Sequence, residues 1–437
     1  MNIITRFPPS PTGYLHIGRA RTALFNYLFT QKNKGKMVFR IEDTDKERSK
    51  KEYEDNIIEC LEWLGISYDL GPLRQSERND IYEKYIKILI DNGSAYVSKE
   101  NTENGGRSEV IRFKNPNKKI SFSDLVRGEV TIDTTDLGDF IIAKSITEPL
   151  YHLTVVVDDH EMGITHIIRG EDGISNTPRQ ILIEEGIGAI RPIYAHIPLI
   201  LATDKSKLSG RHGAVSVTEF RDMGYLPQAM VNFLALLGWN PGDDREIFSM
   251  EELINIFSLD KVQKSGAVFS IEKLNWFNKK YIEKLNDEDF LMHAKKFIPN
   301  DISEKNINSL LPLIREKISY FSQIVDLFKT ELSFIYPLPQ YEKEKLMWKQ
   351  EKDISETKKH ILKIIETTSL IEDKEFTKEN IKEKLWAYAE EKGRGNVLWP
   401  MRYALSAQDR SPDPFIMSSI LGKEEVLKRL KFAYEII

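Results

Sequence analysis

Apolar residues recur along the chain in two rhythms, one suited to strands and one to helices. Residues 2–7 form a short apolar run, the Pro8-Pro9-Ser10-Pro11-Thr12-Gly13 stretch breaks it, and residues 20–29 return with helical spacing ahead of Gly35. Residues 37–41 read as the next strand. Strand, turn, helix, strand is the unit that a right-handed crossover joins into a parallel sheet. Ile57, Leu61 and Leu64, then Ile81, Tyr85, Ile88 and Leu89, mark two amphipathic helices, the second stopped by Asn92-Gly93.

From Ser94 to about Asp139 the pattern changes to short β-type runs, such as 109–113 and 129–132, between polar, Gly-containing loops. Residues 150–157 and 165–168 are nearly continuous apolar runs, as expected of strands buried on both faces. A helix around 179–185 and an apolar strand over 194–201 follow. After Gly213 the pattern reads as helices: a core helix over 227–239, another over 262–282, and a series from Ile307 to Ile437. That series is punctuated at Pro337-Leu338-Pro339, Gly393-Arg394-Gly395 and Ser411-Pro412-Asp413-Pro414. The expected fold class is α/β: a Rossmann-type parallel-sheet domain in two halves (1–93 and 150–212) split by a β-rich insertion (94–149), then all-α regions (213–306 and 307–437).

A length of 437 residues agrees with several cores. The 62 Lys and Arg against 67 Asp and Glu leave a formal charge of −5, so any nucleic-acid surface has to be local. Lys343, Lys345, Lys349, Lys352, Lys358 and Lys359 cluster late in the chain, but the interleaved glutamates favour a solvated helix face. Cys60 is the only cysteine, which excludes a disulfide framework and a cysteine-based zinc site. The start MNIITRFPPSPTG has no secretory pattern, and no stretch reaches the roughly 20 apolar residues of a membrane span, so a cytoplasmic protein is expected.

Three groups of residues can carry chemistry. His16 and Gly18, in Tyr14-Leu15-His16-Ile17-Gly18-Arg19, fall where a strand-to-helix turn opens at the carboxyl edge of a parallel sheet. Helix-terminal N–H groups favour anions there, and a glycine admits a nucleotide close to the backbone, although by spacing alone so short a pattern is more often an ordinary turn. Lys205, Lys207 and Arg211 crowd the loop from Asp204 to Gly213, which suits either closure over a triphosphate or plain solvation. No Gly-x-x-x-x-Gly-Lys-Ser/Thr phosphate loop occurs. Arg6, Ser10, Glu42, Tyr151 and Arg169 each lie near the end of an expected strand of one sheet. Arginine reads carboxylate in a forked geometry and a carboxylate holds an ammonium, though each residue alone is as readily a structural ion pair.

Together these pieces resemble the class I aminoacyl-tRNA synthetases, specifically the bacterial-type glutamyl enzymes, over essentially the whole chain. The stretch from Arg6 to Gly18 is similar to the family's first signature with its lead-in, and Arg40-Ile41-Glu42-Asp43-Thr44-Asp45 to its acidic motif. Val156-Val157-Asp158-Asp159, Ile168-Arg169-Gly170-Glu171-Asp172 and Asn176-Thr177-Pro178-Arg179-Gln180 are further matches.

The resemblance implies a ligase that activates L-glutamate with ATP and magnesium and loads it onto tRNA(Glu), and possibly onto tRNA(Gln) as well. The partners implied are glutamate and tRNA, with no membrane, for a monomer acting alone. It implies that His16, Gly18, Lys207, Ser209 and Arg211 serve catalysis, and that Pro9, Asp172, Leu201, Leu208 and Gly210 join His16, Gly18 and Lys207 around ATP. Arg6, Ser10, Glu42, Tyr151 and Arg169 would line the glutamate pocket, and Arg402 would contact the anticodon, where a surface ion pair is the alternative.

The chain departs from the family at Gly210, where the second signature usually carries lysine, and at Arg19, where many relatives carry a small or polar residue. It is also short between Tyr96 and Arg107, where many relatives carry a cysteine-containing zinc knuckle, so no structural zinc is expected. Two rival readings remain: a synthetase-like RNA-binding or regulatory protein with weakened catalysis, favoured by Gly210, and a glutaminyl-tRNA synthetase, disfavoured by the helical C-terminus.

Overall fold

The computed structural model describes residues 2–99, 109–213, 215–338, 340–349, 351 and 353–437. The shortened stretch at 100–108 and Pro339 lie outside the described residues. The chain forms two compact units, Met1–Tyr281 and Ile282–Ile437.

The first unit opens as expected, with β1 (Ile4–Phe7), α1 (Ile17–Lys32) and β2 (Lys36–Ile41). It continues with α2 (Lys51–Trp63), β3 (Leu70–Arg74) and α3 (Asn79–Asp91). Strands β4 (Ala95–Lys99), β5 (Glu109–Phe113), β6 (Lys119–Asp124), β7 (Gly128–Asp133), β8 (Phe140–Ser145) and β9 (Glu148–Pro149) then form the expected β-rich part. Next come α4 (Tyr151–Glu161), β10 (His166–Gly170), α5 (Thr177–Ile187), β11 (Ile193–Ile197) and β12 (Ile200–Leu201). Helices α6 (Val217–Asp222), α7 (Pro227–Leu236) and α8 (Met250–Ile256), strand β13 (Ala267–Val268) and α9 (Ile271–Ile282) complete it.

Strand β2 pairs in parallel with β1 and β3, and β10 in parallel with β11. The two groups meet where Thr165 N–H donates to Ile4 O at 2.9 Å and Ile4 N–H to Thr165 Oγ1 at 2.8 Å. The strand order therefore reverses between β1 and β10, which opens a crevice at their carboxyl ends. The antiparallel sheet β4-β5-β8-β9 stands apart, whereas the β6–β7 hairpin is tied to β11 through the parallel pair Tyr194 and Asp124. Ile111, Phe113, Ile142, Leu153 and Val157 share one core with Tyr82 and Leu89 of α3.

Four expectations are corrected. Residues 150–157 are not a strand but the start of α4: Leu153, Val155, Val156 and Val157 are buried along with Asp158 and Asp159, so burial on most sides overrides the strand preference of a β-branched run. The apolar run 194–201 is cut by Pro198 into β11 and β12. Residues 262–270 are not helical but include β13, which pairs with β12, and α9 starts only at Ile271. The boundary placed at 306/307 falls inside a helix whose N-cap is Ser303, because Ile307 is one of its apolar positions and not its beginning.

The second unit is helical: α10 (Asp287–Ala294), α11 (Glu304–Lys317), α12 (Gln323–Lys329), α13 (Ile354–Ser369), α14 (Lys378–Lys392), α15 (Arg394–Ser406) and α16 (Pro414–Ile436). Arg429 of α16 is buried and donates to the carbonyls of Phe334, Leu405 and Tyr336, which ties three segments together. No helix among the described residues is long and apolar enough to cross a membrane.

Candidate active site

A cleft of about 690 Å³ opens at the carboxyl ends of β1, β2 and β10. Its walls bring together Arg6, Pro9, Ser10, His16, Gly18, Glu42, Tyr151, Arg169, Asp172, Lys207, Leu208, Ser209 and Gly210. Leu201 and Arg211 are not among the lining residues. Leu201 faces β13, bridges to Lys207, and would be struck by a side chain at Gly266, so packing holds it back from the cleft. Arg211 Nη2 donates to Ser206 Oγ at 3.2 Å, which keeps it on the loop's exposed side.

His16 is the N-cap of α1, and its Nδ1 accepts the Gly18 N–H at 3.0 Å. A ring nitrogen that accepts carries no proton, so the neutral ring presents its N–H at Nε2. Burial, with Arg19 and Lys207 nearby, lowers the His16 pKa and keeps that neutral form. A side chain at Gly18 would press within 3.3 Å of His16 Nδ1. Arg19 also lines the cleft, with Nη1 donating to Ser10 O at 2.8 Å.

Beneath the cleft lies an ion network centred on Arg40. Its Nη1 donates to Asp159 Oδ1 at 2.7 Å, its Nη2 to Glu42 Oε1 at 3.0 Å, and its Nε lies 3.7 Å from Asp158 Oδ2. Arg6 Nε reaches Asp159 Oδ2 at 3.4 Å, and Arg78 Nε reaches Asp158 Oδ1 at 2.8 Å. Gln75 and Tyr82 each donate to Asp158 Oδ2 at 2.9 Å. Burial pushes the Glu42 carboxyl up against the pull of Arg40. Burial acts the same way on Asp159, but Arg40 and Arg6 outweigh it and hold that carboxyl below the usual range.

Arg169, at the end of β10, is fixed on two sides. Its Nε donates to His196 Nε2 at 3.0 Å, and its Nη2 to Thr177 Oγ1 at 2.8 Å and Gly173 O at 3.3 Å. The loop after β12 folds back, with Ala202 N–H on Ser206 O at 2.8 Å and Leu208 N–H on Ile200 O at 3.1 Å. This brings Lys207 Nζ to 3.4 Å from Asp172 Oδ2, an exposed pair. Gly210 has open space where a side chain would be.

Sequence reasoning assigned no role to Arg40, Asp158 or Asp159, although all three stand in quoted motifs. It missed Arg21, Asp124 and His196 altogether. Arg21 is a buried cation in α1, an unusual placement that is itself a signal; it donates to Leu237 O at 2.9 Å and to Pro198 O, bracing the cleft floor. In the second unit Arg402 stacks over Trp399 at 4.9 Å and donates to Asp409 O at 2.5 Å, within an aromatic group that includes Trp348.

The pattern of the tRNA synthetase class I (E and Q) catalytic domain matches residues 2–109 and 98–276, and that of an anticodon binding domain matches 289–434. Among similar sequences, a glutamate–tRNA ligase of Aquifex aeolicus is 41% identical over 470 residues, covering 98% of this chain and 97% of that one. Another from Heliobacterium modesticaldum is 39% identical, covering 100% and 97%. The crystal structure of a glutamate tRNA ligase from Elizabethkingia meningosepticum, in complex with its amino acid, superposes with a TM-score of 0.89 at 32% identity, covering 100% of this chain and 99% of that one. With both domains matched in order and relatives aligned end to end, the chain belongs to the class I (E and Q) tRNA synthetases.

Proposed function

We propose that this chain is a glutamate–tRNA ligase, which joins L-glutamate to ATP and passes the glutamyl group to the 3′ end of tRNA(Glu). The observation that carries the reading is the meeting in one cleft of Glu42, Arg6 and Arg169 with the His16-capped N-terminus of α1. A carboxylate flanked by two arginines suits an amino acid bearing one ammonium and two carboxylates, and a helix N-terminus suits polyphosphate.

In this reading Glu42 holds the substrate ammonium, and Arg6 and Arg169 read carboxylate, with Ser10 and Tyr151 along the wall. His16 Nε2–H and the first N–H groups of α1 face the phosphates, and Lys207 and Ser209 close on them from the loop. Pro9, Gly18, Leu208 and Gly210 shape the nucleotide side, and Asp172 positions both the nucleotide and Lys207. Magnesium arrives with ATP.

An oxygen of the glutamate α-carboxylate attacks the α-phosphorus, and the bond to the β-phosphate breaks as pyrophosphate leaves. A hydroxyl of the terminal ribose then attacks the acyl carbon of the mixed anhydride, and AMP leaves with the bonding electrons while a phosphate oxygen of the departing AMP takes up the hydroxyl proton. Positioning and fixed charge supply the catalysis, so no dedicated protein acid or base is required. One chain serves one tRNA, with Arg402 and its aromatic neighbours on the anticodon side.

The test is aminoacylation with ATP, magnesium, glutamate or glutamine, and separate transcripts of tRNA(Glu) and tRNA(Gln). Charging of tRNA(Glu) by glutamate and not by glutamine is expected, and charging of tRNA(Gln) would add that partner. Tight tRNA binding without charging by either amino acid would overturn the reading in favour of an RNA-binding protein, the outcome that Gly210 favours.

A further inference from the structure

His196 lies in β11 and is fully buried, yet both of its ring nitrogens are engaged. Nε2 lies 3.0 Å from Arg169 Nε, and Nδ1 lies 2.6 Å from Asp124 Oδ2. Arginine Nε always carries hydrogen, so His196 Nε2 must accept, and the single proton of the neutral ring sits on Nδ1, donated to Asp124. Asp124 is itself immobilised, accepting N–H bonds from Val126 at 2.9 Å, Arg127 at 2.8 Å and His196 at 3.1 Å. Tyr194 and Phe122 flank the buried imidazole, whose two ring nitrogens hold it in place through their bonds to Arg169 and Asp124.

The consequence falls on Arg169. With Nε on His196 and Nη2 on Thr177 and Gly173, three bonds set the plane of its guanidinium, and Nη1 keeps no protein partner among the described residues. A guanidinium clamped along one edge offers the other to a ligand at a fixed angle. Asp124 belongs to the β6–β7 hairpin, so the aim of a cleft residue is set from the β-rich part of the chain.

We infer that His196 is a positioning residue, which, backed by Asp124, fixes the Arg169 guanidinium at the angle needed to meet the substrate carboxylate. The inference rests on the proposed role of Arg169 in reading that carboxylate.

The experiment is steady-state aminoacylation of tRNA(Glu) with glutamate and ATP varied separately, together with thermal melts. His196→Phe keeps the ring and loses both polar atoms; it is expected to raise the glutamate KM by about tenfold to a hundredfold with the ATP KM unchanged. His196→Gln, whose amide can donate to Asp124 and accept from Arg169, is expected to recover most of that loss. Asp124→Asn places an amide N–H against Nδ1, shifts the ring proton to Nε2, and sets it against the Arg169 N–H. That variant is expected to behave like His196→Phe, and it carries the test should His196→Phe fail to fold.

Arg169→Gln separates the two layers of the argument. If Arg169→Gln leaves the glutamate KM unchanged, the reading of Arg169 fails. If Arg169→Gln raises it while His196→Phe and Asp124→Asn do not, the role of His196 fails alone. Equal rises in both KM values, tracking a lowered melting temperature, would mean a purely structural histidine and also overturn the inference.

Discussion

Arg40 Nη2 donates to Glu42 Oε1 at 3.0 Å while Nη1 of the same guanidinium holds Asp159, the carboxylate that also holds Arg6. One fully buried cation therefore orients two cleft residues of opposite charge. Lysine cannot span both partners, because its ammonium is a single point and not a fork. Arg40→Lys is expected to raise the glutamate KM and to lower stability by about 1–3 kcal/mol, the cost of leaving a buried acceptor without its donor. Denaturant unfolding and glutamate titration measure the two effects, and an unchanged glutamate KM would remove Arg40 from the site.

His16 combines two tasks, capping α1 through Nδ1 and offering Nε2–H to the cleft. Asparagine can take over the cap but not the second task. His16→Asn should keep the melting temperature and lose about a hundredfold or more in kcat, as for a lost oxyanion donor. His16→Ala should lose both, with about 1 kcal/mol of stability. Full activity in His16→Asn would show that Nε2–H has no part in the chemistry.

Gly210 lies on the cleft wall with open space around its missing side chain and with a φ outside the left-handed region. Gly210→Lys therefore adds a cation to the loop without backbone strain. Single-turnover adenylate formation should quicken by about tenfold or more, within the range of one preorganised charge. A rate no faster than that of this chain would mean that Lys207 and its neighbours already neutralise the phosphates.

Glu184 is buried, accepts the Tyr194 hydroxyl at 2.7 Å, and has no partner for Oε2. Burial pushes its carboxyl from 4.5 up to about 7. The folded state thus keeps a proton that the unfolded state has released, and stability falls as pH rises from 4.5 through 7. Glu184→Gln keeps an acceptor for Tyr194 and removes the charge, so it should stabilise the protein by about 2–3 kcal/mol at pH 8 and much less at pH 5. Equal effects at the two values would place the titration elsewhere.

The parts of this molecule legible in its sequence are those set by local rules. β1, α1 and β2 were readable because the Pro8–Gly13 breakers separate two clean periodicities. Thirteen of the fifteen expected cleft residues line one cavity because nearly all sit at a strand end, the following turn or a signature loop, where topology gathers side chains, whereas Tyr151 arrives from the first turn of α4 and not from a strand. α4 is not legible in the sequence because Thr154 to Val157 prefer strands locally, and only three-dimensional burial makes the helix better. β3 leaves no strand pattern in the sequence because Gly71-Pro72 interrupts it. Arg40 and His196 gained no role because a buried ion or hydrogen-bond partner 70 or more residues away leaves no periodic trace, as with Arg40 and Asp159, separated by 119 positions, and His196 and Asp124, separated by 72.

The network beneath the cleft is balanced within itself: Arg6, Arg40 and Arg78 face Glu42, Asp158 and Asp159, three cations against three anions. Arg169 stands outside that balance, since its partners His196, Thr177 and Gly173 are uncharged. Arg19 and Arg21, which also line the cleft, likewise bond only to backbone carbonyls, so on the proposed reading the empty cleft carries surplus positive charge, and glutamate, with two carboxylates and one ammonium, arrives with one surplus negative charge. Glutamine is neutral overall and would leave the Arg169 guanidinium without a counter-charge, a state that costs more than one missing hydrogen bond. On that reading, discrimination between two side chains of nearly equal size rests on the positive charge that Arg169 offers, and not on the shape of the cleft.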